Sequence, residues 1–253
     1  MDEKIKKDTR CVNAMFTPAQ IEELKEHLER AQNPVFYYDN DADGLCSYIL
    51  LRKFLQRGKG VAVRSFPDLN ESYARKAREL KADYVFVLDK PIISKEFAEE
   101  IFRAGLPLVW IDHHDMPIED WEKNAENFYV YNPVRGNTSK QNRDVSNEPV
   151  TYLIYKLTER KEDLWIAVIG CIADHYLPDF ASEFAKKYPE FWSDKIKEPF
   201  DAYYGTEIGK IAIALNFGIK DSVTNVVRLQ NFLISCSEPG QVLEDVPGNY
   251  SFK

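Results

Sequence analysis

The chain has 253 residues, 44% of them hydrophobic and 29% charged, and a formal net charge of −8. This length and balance provide for one large domain, or a domain with a smaller appendage, and exclude a disordered or fibrous chain. The acidity argues against a broad basic cradle for nucleic acid, although six aspartates taken up below supply most of the surplus.

Read in chain order, Met1 to Asp8 has no apolar core of the signal-peptide kind, and no later stretch approaches about 18 apolar residues. A cytoplasmic protein with no membrane span is expected. Residues 1–32 form an N-terminal helical segment, with Thr17 capping and Pro18 opening a helix to Ala31. Strands are predicted at 34–38, 61–66, 84–88, 108–111 and 128–131, with helices at 45–56, 71–81 and 94–103 between them. Short apolar strands alternating with helices indicate an α/β fold: a doubly wound, mostly parallel five-stranded sheet. From Glu148 the pattern turns helical, with helices predicted at 149–157, 164–173, 183–188, 207–217 and 222–235, and residues 181–253 are read as a C-terminal helical extension or the start of a second domain. Asn132 to Asn147 is a long polar loop in which Arg135, Lys140 and Arg143 are candidates for substrate phosphate contacts; the plain alternative is an insertion without function. Four cysteines (Cys11, Cys46, Cys171, Cys236) form no C-x-x-C pair and are expected as thiols, Cys46 and Cys171 buried in helices.

Four acidic sites stand at element ends: Asp39-Asn40-Asp41-Ala42-Asp43-Gly44, Asp89, Asp112-His113-His114 and Asp174. Asp39, Asp89 and Asp112 each follow an apolar strand, so a parallel sheet puts them on its carboxyl rim, where ligands of such sheets bind. Asp174 ends a helix that can pack across that rim. So many acids on one edge repel one another unless cations lie between them. Carboxylates with one or two imidazoles suit Mn²⁺, with Mg²⁺, Fe²⁺, Co²⁺ and Zn²⁺ as alternatives, and the lack of thiolate ligands argues against structural zinc. The number of acids exceeds the needs of one ion and fits a two-metal centre of the kind that hydrolyses phosphoesters. Each fragment has a plainer reading: an acidic turn, a strand-end turn at Asp89-Lys90-Pro91, surface histidines, a helix-terminal acid. His175 stays unassigned, His27 is structural or solvated, and Tyr37, Tyr38 and Trp110 read as core before they read as base-stacking rings.

These motifs resemble the DHH phosphoesterases, which include RecJ-type exonucleases, nanoRNA and cyclic-dinucleotide phosphodiesterases and manganese pyrophosphatases. The resemblance covers residues 33–180, and Asp112-His113-His114 matches the naming motif. It implies that Asp39, Asp41, Asp43, Asp89, His113 and Asp174 bind two Mn²⁺ ions, that Asp112 bridges or orients, and that His114 contacts the scissile phosphate or supports a ligand. Asn40 stands where many nuclease members carry histidine or tyrosine. The family's glycine-rich C-terminal domain is not evident; a minimal form, a fragment, or a half supplied by a partner would each account for that. The expected activity is Mn-dependent phosphodiester hydrolysis of single-stranded DNA, RNA or short oligonucleotides, with Asp112 and His114 as catalytic residues. The alternatives are a non-catalytic scaffold working with a replication or repair protein, and a hydrolase of small phosphoanhydrides or cyclic dinucleotides.

Overall fold

A computed structural model describes residues 16–135 and 148–244, so Cys11, Lys140 and Arg143 lie outside the described residues. α1 (Pro18–Arg30) opens on a capping box in which the Thr17 side chain accepts from the Gln20 amide and the Gln20 side chain accepts from the Thr17 amide. The chain then runs through β1 (Pro34–Asp39), α2 (Ala42–Leu55), β2 (Lys59–Val63) and the two-residue β3 (Asp68–Leu69). It continues with α3 (Ala74–Glu79), β4 (Tyr84–Leu88), β5 (Ile92–Ile93), α4 (Lys95–Arg103), β6 (Leu108–Ile111) and β7 (Phe128–Tyr131).

The five longer strands form one sheet in the order β2-β1-β4-β6-β7, and every pairing in it is parallel. Side chains alternate between two cores: Phe36, Tyr38, Phe86, Leu88, Val109 and Ile111 face the larger, and Val35, Tyr37, Val85, Val87, Leu108 and Trp110 the smaller. Burial on both faces is why the central strands β1, β4 and β6 read as unbroken apolar runs. Tyr37, Tyr38 and Trp110 are core residues, as their strand positions suggest, and Tyr37 and Tyr38 are further fixed by bonds to the Tyr73 carbonyl and Gln230. Cys46 and Cys171 are buried thiols inside helices.

Three of the boundaries that differ from the sequence reading have a local physical cause. The second strand stops at Val63 rather than reaching Phe66, because Ser65 Oγ donates to the Asp68 carbonyl and turns the chain. The helix expected over 71–81 is split into a single 3-10 turn, Glu71–Tyr73, capped by Asn70, followed by α3. The helix expected to start after Gly44 begins at Ala42, so the acidic motif is itself a helix N-terminus.

Beyond residue 147 the described structure is helical: α5 (Val150–Thr158), α6 (Leu164–Ala173), α7 (Ala181–Lys187), α8 (Pro199–Gly205), α9 (Glu207–Gly218), α10 (Val223–Ser235) and α11 (Gly240–Leu243). α6 is buried along almost its whole length and packs on α2, which explains its lack of amphipathic period. Residues of α7 to α11, including Phe184, Ala202, Ile211, Leu229 and Val242, join the larger core. No described helix is long and apolar enough to cross a membrane.

Candidate metal centre

The strand order reverses between β1 and β4, and in open parallel sheets the crevice at such a reversal is where ligands bind. Asp39 ends β1 and Asp89 directly follows β4, so these two carboxylates flank the crevice. Asp41 is the N-cap of α2, its side chain accepting from the Gly44 amide at 2.9 Å. Asp43 lies in the first turn, where a carboxylate meets the positive end of the helix. Gly44 is required by close approach, because a Cβ there would stand 2.6 Å from the Asp39 carbonyl oxygen.

A second helix grips Asp43 from the other side. Its two carboxylate oxygens accept from the Thr151 and Val150 amides at 2.8 and 2.9 Å, the unbonded donors of the first turn of α5. Thr151 Oγ1 donates to the Asp43 carbonyl at 2.9 Å. Two helix N-termini therefore converge on one buried acid.

Asp112 and the two histidines follow β6. Asp112 is fully buried and holds His114 in place: Oδ1 meets His114 Nδ1 at 2.8 Å, and Oδ2 accepts from the His114 amide at 3.0 Å. Asn132, just past β7, donates to Asp112 Oδ2 at 3.1 Å and to the His114 carbonyl at 2.9 Å. His113 points the other way, its Nε2 lying 3.3 Å from Asp89 Oδ1 and 3.8 Å from Asp174 Oδ2. Asp174 is the C-cap residue of α6, the helix that carries it across the rim. Asp89 and His175 both adopt left-handed backbone, with φ of 54° and 55°, a conformation that non-glycine residues seldom hold without surrounding constraint.

Among the described residues, two groups bring donor atoms within 4.8 Å of one another: Asp89, His113 and His114, and Asp43, His113 and Asp174. Five of the residues expected on the rim are thus drawn into two groups that share His113. Asp39 and Asp112 stand outside both. Asp39 pairs with Lys90, whose Nζ donates to Asp39 Oδ1 at 2.6 Å and to the Ser65 carbonyl at 2.7 Å. Asp112 is occupied in orienting His114. Asp41 is also outside both groups, although its charge adds to the repulsion at Asp89.

The electrostatics show a cluster made for cations. Burial, with repulsion from Asp43, Asp41, Asp174 and Asp112, holds the Asp89 carboxyl well above the usual carboxylate range. Burial and the charges of Asp43 and Asp41 push Asp174 up to about 8, and burial with the Asp43 charge pushes Asp41 up to about 6. Burial alone would lower the His114 imidazole, but the bond and charge of Asp112 outweigh it and raise His114 above the ordinary histidine range. Crowded oxygen donors with two imidazoles fit hard-to-borderline divalent ions, since without cations the acids can avoid repulsion only by taking up protons.

Arg135 corrects an expectation. Its guanidinium donates to both Glu122 oxygens at 2.7 Å and to the Met116 and Pro117 carbonyls, and it lies over the Trp110 ring at 4.3 Å. Those bonds use four of the five guanidinium N–H groups to fasten the loop after β6, and with its side chain 5% exposed Arg135 is poorly placed to meet a phosphate. Lys90, Asn132 and Thr151 are contributors that sequence reasoning misses. A lysine beside a strand-end aspartate reads as solvated, and an isolated asparagine or threonine carries no motif.

Comparison with curated protein sequences gives no match. Among solved structures, a RecJ exonuclease bound to manganese aligns at 15% identity and TM-score 0.57, over 92% of this chain and 62% of its own. A DHH domain described as belonging to a family of ribosomal proteins aligns at 15% identity and TM-score 0.52, over 81% of this chain and 54% of its own. A weaker likeness, with TM-score 0.44 and 18% identity, is to CDC45 from Entamoeba histolytica, over 70% of this chain and 36% of that one. The chain therefore spans less than two thirds of the length of these structures, and at such identities the likeness is one of fold. The model of the DHH family, N-terminal domain, matches residues 35–180, the segment that runs from β1 through every rim aspartate to the end of α6; this chain belongs to the DHH family.

Proposed function

We propose that the protein hydrolyses phosphodiester bonds of single-stranded nucleic acid or short oligonucleotides at a centre holding two Mn²⁺ ions. The observation that carries this reading is the pair of donor groups sharing His113, set among acids whose repulsion calls for divalent charge. Asp43, Asp89, Asp174 and His113 would hold the ions, with Asp41 adjoining. Bound ions of this kind activate water and neutralise charge on a transferring phosphoryl group. Asp112 fixes the His114 ring through Nδ1, so that the other ring nitrogen is left to meet a phosphate oxygen approaching the rim. Asn132 braces that pair from behind, and Lys90 holds Asp39.

The test is Mn²⁺-dependent cleavage of end-labelled single strands of graded length, with chelator and Asp89→Asn as controls. Cleavage that chelator abolishes and that Asp89→Asn lowers by about 100-fold or more is expected. No product at any length, or equal activity in the variant, overturns the proposal. Calorimetric titration adds a second outcome: a chain that binds no Mn²⁺ would be a non-catalytic scaffold.

A further inference from the structure

The metal centre is fastened on one side to an aromatic surface that the hydrolytic reading leaves unused. Asn216 Oδ1, on α9, accepts from the Ala42 amide at 2.8 Å, and its side-chain amide donates to Tyr203 Oη at 3.0 Å. α8 and α9 are thereby anchored to the first turn of α2. From the opposite direction, His175 follows Asp174 and lies against α8: its ring is 4.3 Å from that of Phe200, with planes 20° apart. Phe200 is nearly parallel to Tyr204, at 6.1 Å and 11°, and Tyr203 meets both His175 and Tyr204 edge-on. These rings form one run that starts beside a carboxylate of the centre and leads outward.

The outer members are bare. Phe200 is 49% exposed and Tyr204 69%. Ile196 and Lys195 extend the surface with Phe200 and Tyr204 along a shallow pocket of about 390 Å³. Two large exposed rings side by side mark a surface suited to a ligand or partner. Flat rings mixed with hydroxyls and an imidazole, with Lys195 and Asp201 offsetting one another in charge, suit a partner that is itself flat and aromatic. An aliphatic helix would call for a smoother apolar groove. Continuity with the carboxylate rim decides the occupant, because bases flanking a phosphate at that rim would fall within reach of the rings.

We infer that His175, Phe200 and Tyr204 form a ledge on which the nucleobases of a single-stranded oligonucleotide stack while its phosphate lies at the carboxylate–imidazole centre. The inference rests on the phosphodiesterase reading. It assigns binding strength to π-faces, which every base possesses, and so predicts little sequence preference.

The test compares the whole chain with Phe200→Ala/Tyr204→Ala, both exposed positions, using fluorescence anisotropy of a labelled oligothymidylate without divalent ions and Mn²⁺-dependent cleavage of the same strand. Circular dichroism checks the fold, and Phe200→Tyr/Tyr204→Phe, which keeps both rings, should keep wild-type affinity. The alanine pair is expected to weaken oligothymidylate binding by about tenfold or more and to raise KM accordingly. A strand of abasic sites with the same phosphates should bind both proteins alike. Binding lost in the alanine pair supports the ledge even if nothing is cleaved. Cleavage by the parent with unchanged binding and KM in the pair overturns the ledge and leaves the phosphodiesterase standing. A parent that neither binds nor cleaves overturns both. Self-association that the alanine pair abolishes, with oligonucleotide affinity intact, would assign the surface to a second copy of the chain and also overturn the ledge.

Discussion

Replacing Gly44 with alanine should destabilise the protein and loosen its metal centre in one step. A Cβ at this position would stand 2.6 Å from the Asp39 carbonyl oxygen, 2.8 Å from the Asp39 nitrogen and 3.2 Å from the Asp39 carbonyl carbon. All three are backbone atoms of β1 and cannot rotate aside, so relief requires the first turn of α2 to move off the strand. Helix propensity alone would favour alanine by about 1 kcal/mol. Overpacking of a buried contact costs roughly 1–3 kcal/mol; backbone atoms that must shift put this site at the upper figure of about 3, so the net loss is about 2 kcal/mol, on the order of thirtyfold in the folding equilibrium. Because that turn carries Asp41 and Asp43, the shift reaches the donors themselves. Guanidinium unfolding without metal should show a lower midpoint at unchanged slope, and calorimetry should show weaker Mn²⁺ binding. Gly205→Ala is the control, since nothing lies within 4 Å of the added carbon and stability should hold or rise slightly. A Gly44→Ala protein as stable as its parent, with undiminished Mn²⁺ affinity, would refute the claim that α2 is seated on β1 through this glycine.

Two further outcomes are expected. The Asp174 carboxyl, raised in the folded state to about 8 from an ordinary 3.8, keeps its proton where the unfolded chain has lost it, so its contribution to stability is complete below about pH 4 and gone by about pH 8. His114, also raised, acts with the same sign; His27, lowered by burial, acts with the opposite sign below 6.5, so the clean window is pH 6.5 to 8. Metal-free protein should melt at progressively lower temperature across that window in differential scanning calorimetry, and Mn²⁺ should restore more at pH 8 than at pH 6.5; a flat metal-free profile would count against repulsion among the rim acids. Arg135→Ala should cost about 3–5 kcal/mol in urea unfolding, because it leaves Glu122, with a side chain 6% exposed, charged and unpaired, while oligonucleotide affinity of the folded protein stays the same. Near-neutral stability with lost binding would restore Arg135 to a phosphate-contacting role.

The centre of the sheet is legible in the sequence because β1, β4 and β6 are buried on both faces and so appear as apolar runs ending in, or followed by, aspartate. α6 is legible to the residue because nothing but apolar and small side chains fills Leu164–Ala173. The start of α2 is misplaced because Gly44 reads as the residue that precedes a helix, when Asp41 is the cap and the glycine serves close packing. α8 and α11 are too short to show a period, and the pairing of β3 with β5 involves only two residues on each strand. The rim acids declare themselves by position, but their supports do not. Asn216 reaches Ala42 across 174 residues, and no local pattern announces a bond of that span. Lys90 is hidden by its chemistry, as a lysine is expected to seek water and here is fully buried against Asp39.

That long bond has company. Gln230 meets Tyr38, Lys53 donates to the Ile234 and Cys236 carbonyls at 3.3 and 2.8 Å, and Arg64 donates to the Asp221 carbonyl. Each joins the last helices to β1, α2 or the end of β2, and the helices share one core with the sheet. A boundary drawn at residue 180, where the recognisable motifs end, would cut through one continuous hydrophobic core. The rim that gathers the aspartates takes its shape from chain on both sides of that line, and the protein is expected to melt in one transition.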